Sequence, residues 1–191
     1  KVSSSPSDNL FSDNGSIKNC LFEYTAGIGP QFYIGGIDAH RSRNWIVEGN
    51  TFKNIASPSK HVAEHAIHFW RKSANITVIN NTIEDCDRGI GFGLGNNLNN
   101  HTDGGLIAYN FIHSTNQSHP YADAGIILEA SPNVKIIDNQ VYIETSYPNA
   151  IEYRFIGTKN VLIQNNITNK SIRSKDGGQA ALFGNRLSDY F

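Results

Sequence analysis

Val78-Ile79-Asn80-Asn81-Thr82-Ile83 sets out an apolar residue, two spacers, an Asn, one spacer and a second apolar residue. The frame returns as Ile107-Ala108-Tyr109-Asn110-Phe111-Ile112 and as Ile136-Ile137-Asp138-Asn139-Gln140-Val141. Before it comes Val47-Glu48-Gly49-Asn50-Thr51-Phe52; after it come Leu162-Ile163-Gln164-Asn165-Asn166-Ile167 and Leu182-Phe183-Gly184-Asn185-Arg186-Leu187. A first copy, Ile17-Lys18-Asn19-Cys20-Leu21-Phe22, carries Cys20 in the Asn slot. The anchors are then Cys20, Asn50, Asn81, Asn110, Asn139, Asn165 and Asn185, spaced by 30, 31, 29, 29, 26 and 20 residues. Helical repeats hold a fixed length because each helix must match its neighbour. A β-solenoid coil extrudes loops of any length while its strands stay in register, so irregular spacing points to the solenoid.

A second anchor precedes the first. Ile37, Ile67, Ile90, Ile126, Ile151 and Ile172 each open a short strand, five of them 13 or 14 residues before the next Asn anchor. Ile90 lies 20 before its anchor, which places an insertion at Asn96 to Asp103. Alternation puts Ile37 and Ala39, Ile67 and Phe69, Ile90 and Phe92, Ile126 and Leu128, and Ile151 and Tyr153 on one face. Each coil therefore holds at least two strands and a corner. Asn suits that corner twice over: it tolerates the left-handed backbone, and its amide can donate to one coil while accepting from the next.

The Asn ladder and its spacing resemble the right-handed parallel β-helix proteins of the pectin-lyase-like superfamily, over about residues 16 to 187. The expected fold is all-β: one right-handed parallel β-helix over residues 1–191, of about six to seven coils, standing alone or as a piece of a longer solenoid. The resemblance implies a carbohydrate-active protein, since the superfamily holds polysaccharide lyases, epimerases, hydrolases and tailspikes, together with copper-enzyme accessory proteins. The acid cluster of polygalacturonases and the signature of chondroitinase-type lyases are not found.

Composition agrees with many short strands and tight corners: the 191 residues include 23 Ile and 23 Asn. A formal net charge of −1 argues against a generic nucleic-acid surface. No apolar run reaches the roughly 18 residues of a membrane span. The chain opens with Lys1 and contains no Met, which reads as a mature form or an excised fragment of a secreted, periplasmic or cell-surface protein. Capping coils or a protein partner are expected at the solenoid ends. Cys20 and Cys86 fall two coils apart, beyond disulfide reach, and are expected as free thiols in the core.

Outward positions of the Ile-opened strands form two columns along the axis. The first is Asp38, His68, Gly91, Ile127, Glu152, Arg173; the second is His40, Trp70, Gly93, Glu129, Arg154, Lys175, with Arg41 and Arg71 just beyond. This face suits an extended acidic polysaccharide. Arg and Lys neutralise uronate carboxylates, and elimination or epimerisation then needs a base and an acid. His68, His40, Arg71, Arg154 and Lys175 are the candidates for those roles. Hydrolysis needs two carboxyls, for which Glu129 and Glu152 are candidates. Asp38, Trp70, Gly91, Gly93, Arg41 and Arg173 are candidate substrate contacts, with Gly91 and Gly93 leaving a bare floor. A plain reading makes the same columns a solvated face with cross-strand pairs, Glu152 with Arg173 and Glu129 with Arg154.

Other signals are weaker. His61, His65 and His68 with Glu64 lie in one segment, where His65 rims the face, but the pattern is not HExxH and no metal is assigned. No cofactor is certain; Ca2+ is possible at Asn96 to Asp103 with Asp85 and Asp87. Three functions follow: a polysaccharide lyase or epimerase, a non-catalytic adhesin-like or tailspike-like binding module, or a copper-accessory protein of the cell envelope.

Overall fold

The computed structural model describes Val2 and residues 10–28, 34–115 and 119–188. Every regular element among these is a strand. The strands pair in parallel into three sheets of six, seven and nine strands. The fold is thus an all-β parallel solenoid of about five turns. The count expected from the anchors is higher because the terminal copies lie in incomplete turns. Among the described residues, Ser16–Lys18 and Leu21–Glu23 follow the two-residue strand Ser12–Asp13 and an isolated bridge from Val2 to Ala39, and Ala180–Phe183 and Arg186–Leu187 come last. No helix among the described residues is long and apolar enough to cross a membrane.

The six-stranded sheet follows the Ile anchors. Ile37 pairs with Ile67, then Ile90, Ile126, Ile151 and Ile172 in turn. The first five are buried, and Ala39, Phe69, Phe92 and Leu128 stack beside them. Each such Ile, Leu or Phe removed from water contributes roughly 1.5–3 kcal/mol, so stacked apolar columns are the main cohesive force along the axis.

The corner into the seven-stranded sheet carries the ladder. Asn50 Nδ2 donates to Asn81 Oδ1 at 3.0 Å, and the same bond runs on through Asn110, Asn139, Asn166 and Asn185 at 2.9 Å each. The backbone N–H of each rung donates to the same oxygen of the next. Each amide also donates to a carbonyl of the preceding coil, as Asn110 does to Val78. Cys20 occupies the first slot as expected, its N–H donating to Asn50 Oδ1 at 2.9 Å.

Three readings need correction here. The sixth rung is Asn166, not Asn165: Ile163 pairs with Ile136, and Asn165 is exposed. The two corner tasks also fall to different residues. The left-handed position is the one before each rung, Asn19, Gly49, Asn80, Tyr109, Asp138, Asn165 and Gly184, with φ between 53° and 66°. The rung itself supplies the hydrogen bonds. Cys86 is a buried free thiol, which burial pushes up to about 12. Cys20, expected in the core, is free but exposed, because its incomplete coil covers one side only.

Asn110→Ala should cost roughly 2–4 kcal/mol, since it strips the acceptor from two Asn81 donors in a dry corner. The same change at the half-covered last rung, Asn185→Ala, should cost about 1 kcal/mol. Urea midpoints at unchanged m-value read both.

Candidate functional site

The register of the outward columns matches expectation along the strands. Asp38 pairs with His68, which pairs with Gly91; Gly91 pairs with Ile127, Ile127 with Glu152, and Glu152 with Arg173. In the second column His40 pairs with Trp70, and Glu129 with Arg154, then Lys175. Gly93 departs from it. Its strand ends at Phe92, and Gly93 turns with φ +81°; a Cβ there would lie 1.9 Å from the Glu129 carbonyl oxygen. Only glycine makes that turn at that approach.

The columns are not an open groove. Asp38, His40, His68 and Glu152 are buried. Asp38 Oδ1 accepts from the Trp70 indole at 2.8 Å and lies 3.1 Å from His40 Nε2. Trp70 meets His40 edge-on, stacks on His68 at 5.6 Å, and carries Arg71 over its ring at 5.5 Å. Arg41 and Arg71 both take left-handed φ at the strand ends. Arg173 and Lys175 are exposed on the last strand of this sheet.

Gly91 is not a bare floor. The chain entering Ile67–Trp70 folds back, and the His65 ring fills the space a Cβ at Gly91 would take, with Nε2 2.6 Å from that point. The insertion does not cover it. The Asn96 to Asp103 insertion itself closes early, since Thr102–Ala108 is already strand. Asp85, Asp87 and Asp103 bond to Thr115, Ser57 and Asn133 respectively and form no shared donor set.

Beside His65 lies a recess of ≈ 250 Å³, lined by His65, Arg88, Leu94, Gly95, Asp123, Ile127, Glu129 and Arg154. Arg154 holds one wall together. Its Nε reaches Glu152 at 2.5 Å, Nη1 reaches Glu129 at 2.9 Å, and Nη2 reaches Asp123 at 2.7 Å. Burial disfavours this cation, but the charges of Asp123 and Glu152 outweigh it and raise its pKa further. Burial likewise acts to raise Asp123, and Arg154 outweighs it, so the Asp123 pKa is lowered. Glu152 also accepts from Tyr147 at 2.8 Å and Asn149 at 2.5 Å. Its second cation is Lys175 at 3.4 Å, not Arg173. The Glu129–Arg154 pair is the one the plain reading anticipates.

The opposite side holds Glu64, His65 and His68. Glu64 Oε1 lies 2.8 Å from His65 Nδ1 and 3.1 Å from His68 Nδ1, and it accepts the His65 backbone N–H at 2.9 Å. His68 Nε2 donates to the Gly93 carbonyl at 2.8 Å. Burial acts to raise the Glu64 carboxyl, but hydrogen bonds from His65 and His68 hold it well below the ordinary carboxylate range. Burial pushes His65 down to about 4, helped by His68. Burial opposes the charge on His68 too, yet Glu64 outweighs it and the pKa is raised. The directions agree with one another: an ionised Glu64 favours charge on His68, burial disfavours it on His65, and an ionised Glu64 accepts from Nδ1 of His65. The three donor atoms lie within 4.8 Å of one another, close enough to hold a metal ion.

Two residues lining this recess carry buried atoms with no hydrogen-bond partner among the described residues, His65 Nε2 and Arg88 Nε; His68 Nδ1, behind the recess, is a third such atom. Arg88 also has no ion pair among the described residues. Glu64, Arg88, Asp123 and Tyr147 escape the alternation reading because they lie in loops entering the sheet; the His-rich segment was the signal that pointed to Glu64 and His65. Family models, curated proteins and solved structures were each compared with the chain, and none matches.

Gly91→Ala should drive the His65 ring aside and cost about 1–3 kcal/mol in urea unfolding. Acid titration isolates Glu64. Its folded pKa lies below the unfolded value of about 4.3, so its contribution is present above that pH and lost as pH falls below it. Between about pH 4 and pH 2, Glu64→Gln should therefore lose stability less steeply than the parent chain.

Proposed function

We propose that this chain is a carbohydrate-active β-helix protein of the pectin-lyase-like kind. On this reading it works outside the cytoplasm on an acidic polysaccharide, by lyase or epimerase chemistry ahead of hydrolysis. The observation that carries the reading is the orphan pair at the recess: a cationic donor, Arg88 Nε, and a neutral acceptor, His65 Nε2. Buried polar atoms without partners are rare in native proteins and call for a reason. A uronate supplies both missing partners, a carboxylate for Arg88 and a hydroxyl or an acidic C–H for His65.

The other expected cation on this wall is already committed. Arg154 spends its donors on Asp123, Glu129 and Glu152, so its part is to fix those carboxylates. Glu129 and Glu152, the candidates for hydrolysis, are tied to that one guanidinium, which favours the chemistry that needs no carboxyl pair. The recess is slightly smaller than the roughly 300–1,000 Å³ of pockets that enclose a drug-sized ligand. It suits one ring of a longer chain, the remainder lying along the sheet face past Trp70 or Lys175.

A second reading, a glycan-binding module without chemistry, is favoured by the pairing of Asp38 Oδ1 with His40 and Trp70, which engages that carboxylate oxygen within the protein.

The test is incubation with alginate, pectate, chondroitin and heparin, followed by near-ultraviolet absorbance and chain length. A rise in absorbance that drops about 10²–10³-fold in Arg88→Gln supports the reading. Retention of a glycan on an affinity gel with no change in it supports the binding module. No change and no retention would sink both.

A further inference from the structure

We propose that Glu64, His65 and His68 form a binding site for one divalent transition-metal ion of the Zn2+ class. The proposal stands apart from the polysaccharide reading. Two imidazoles and one carboxylate, with no thiolate, are a borderline donor set. They suit Zn2+ and its first-row neighbours, whereas Ca2+ and Mg2+ prefer oxygen ligands throughout.

The fold builds the cluster in two steps. His68 leaves Ile67–Trp70 on the outward side, where its strand neighbour is Gly91. Gly91 has no Cβ, so the segment entering that strand lays the His65 ring in the free space, and the two imidazole centroids come to 4.6 Å. Glu64 then meets both rings through one oxygen, Oε1, at 2.8 Å from His65 Nδ1 and 3.1 Å from His68 Nδ1. Atoms bound to one tetrahedral Zn2+ at about 2.0–2.1 Å lie about 3.3 Å apart, so small rotations of these side chains admit the ion.

His68 carries the argument. Its Nε2 lies 2.8 Å from the Gly93 carbonyl oxygen, which only accepts, so Nε2 holds a proton. Its Nδ1 therefore faces the Glu64 carboxylate. The His68 side chain is fully buried, and Nδ1 makes no hydrogen bond among the described residues in spite of that approach. Two electron-rich atoms brought together in a buried place call for a cation between them. A metal ion takes the Nδ1 lone pair and the carboxylate at once, without the alignment that a hydrogen bond demands. A ligating His that donates its other N–H to a backbone carbonyl is also the outer-shell arrangement that fixes tautomer and ring orientation at metal sites. Trp70, stacked on His68 at 5.6 Å and within 8° of parallel, steadies the same ring.

Glu64 is the one ligand with a side chain partly open to solvent, so the ion enters and exchanges on its side. Three protein ligands leave a fourth position for water. The ion displaces the proton between His65 Nδ1 and Glu64, so His65 Nε2, an acceptor in the metal-free chain, becomes a donor in the loaded one.

The experiment starts from the whole chain after dialysis against EDTA and desalting, with Zn2+ added alone. One equivalent should bind with release of protons and more weakly as pH falls. At Zn2+ about 100-fold above its Kd the thermal midpoint should rise by about 5–10 °C. Glu64→Gln and His68→Gln should each weaken binding by more than the roughly 10–100-fold of an outer-shell change. His61→Gln, which alters an exposed histidine of the same segment, should leave it unchanged. Where a variant fails to fold, ¹⁵N NMR of the parent chain decides: Zn2+ should shift Nδ1 of His65 and of His68 and leave both Nε2 atoms protonated. No uptake, uptake undiminished in His68→Gln, uptake lost in His61→Gln, or Nδ1 resonances that do not respond would each overturn the proposal. No glycan enters the experiment, so its failure and that of the polysaccharide reading are told apart.

Discussion

Coil-on-coil register is the constraint on which everything else in this molecule depends. Each turn must present the same positions inward at roughly 4.8 Å from the last, because its backbone groups pair only with the turns above and below. The ladder from Asn50 to Asn185 enforces that register at one corner, where a slip of a single residue would leave each rung's oxygen without its two donors. The stacked Ile column enforces it again at the opening of the six-stranded sheet. Loops between these two fixed points are free to vary in length. That is why the spacing wanders while the columns do not.

Register also explains how residues far apart in sequence come to share one small volume. Glu129 and Arg154 are neighbours across adjacent strands, Asp123 reaches the same guanidinium from the preceding coil with Glu129, and Glu152 and Tyr147 reach it from Arg154's own coil. Three carboxylates around one arginine are tolerable only because the arginine spends a different nitrogen on each, and Lys175 adds a second positive charge at the edge. Removing Arg154 would leave carboxylates buried without a cation, so its role is inseparable from folding.

What the sequence revealed follows the same division. The columns Asp38 to Arg173 and His40 to Lys175 were legible because strand alternation has a period of two and the Ile anchors fix its phase. Their burial was not legible, because it depends on how the 55–66 segment folds back, and a loop carries no period. Gly91 shows the difference: its bareness could be read, but whether a ligand or a neighbouring ring fills the space could not, and His65 fills it. Asn165 and Asn166 show another limit. Leu162 and Ile167 fit the apolar frame around Asn165, whereas the true rung at Asn166 is followed by Thr168 in the inward slot. One polar residue in an apolar position was enough to move the reading by one.

The polar economy of the outward face gives the recess its meaning. Around it, nearly every charged group has found a partner inside the protein: Asp38 with Trp70, Glu64 with two histidines, and Glu129, Glu152 and Asp123 with Arg154. A merely solvated face would leave its long side chains to water and would not bury them. This face buries them and pairs most of them, leaving His65 Nε2, His68 Nδ1 and Arg88 Nε among the buried atoms without a hydrogen bond within the described residues. The acceptor and the cationic donor at this one recess are the observation on which the proposed uronate site rests, since the cost of orienting both has been met in folding.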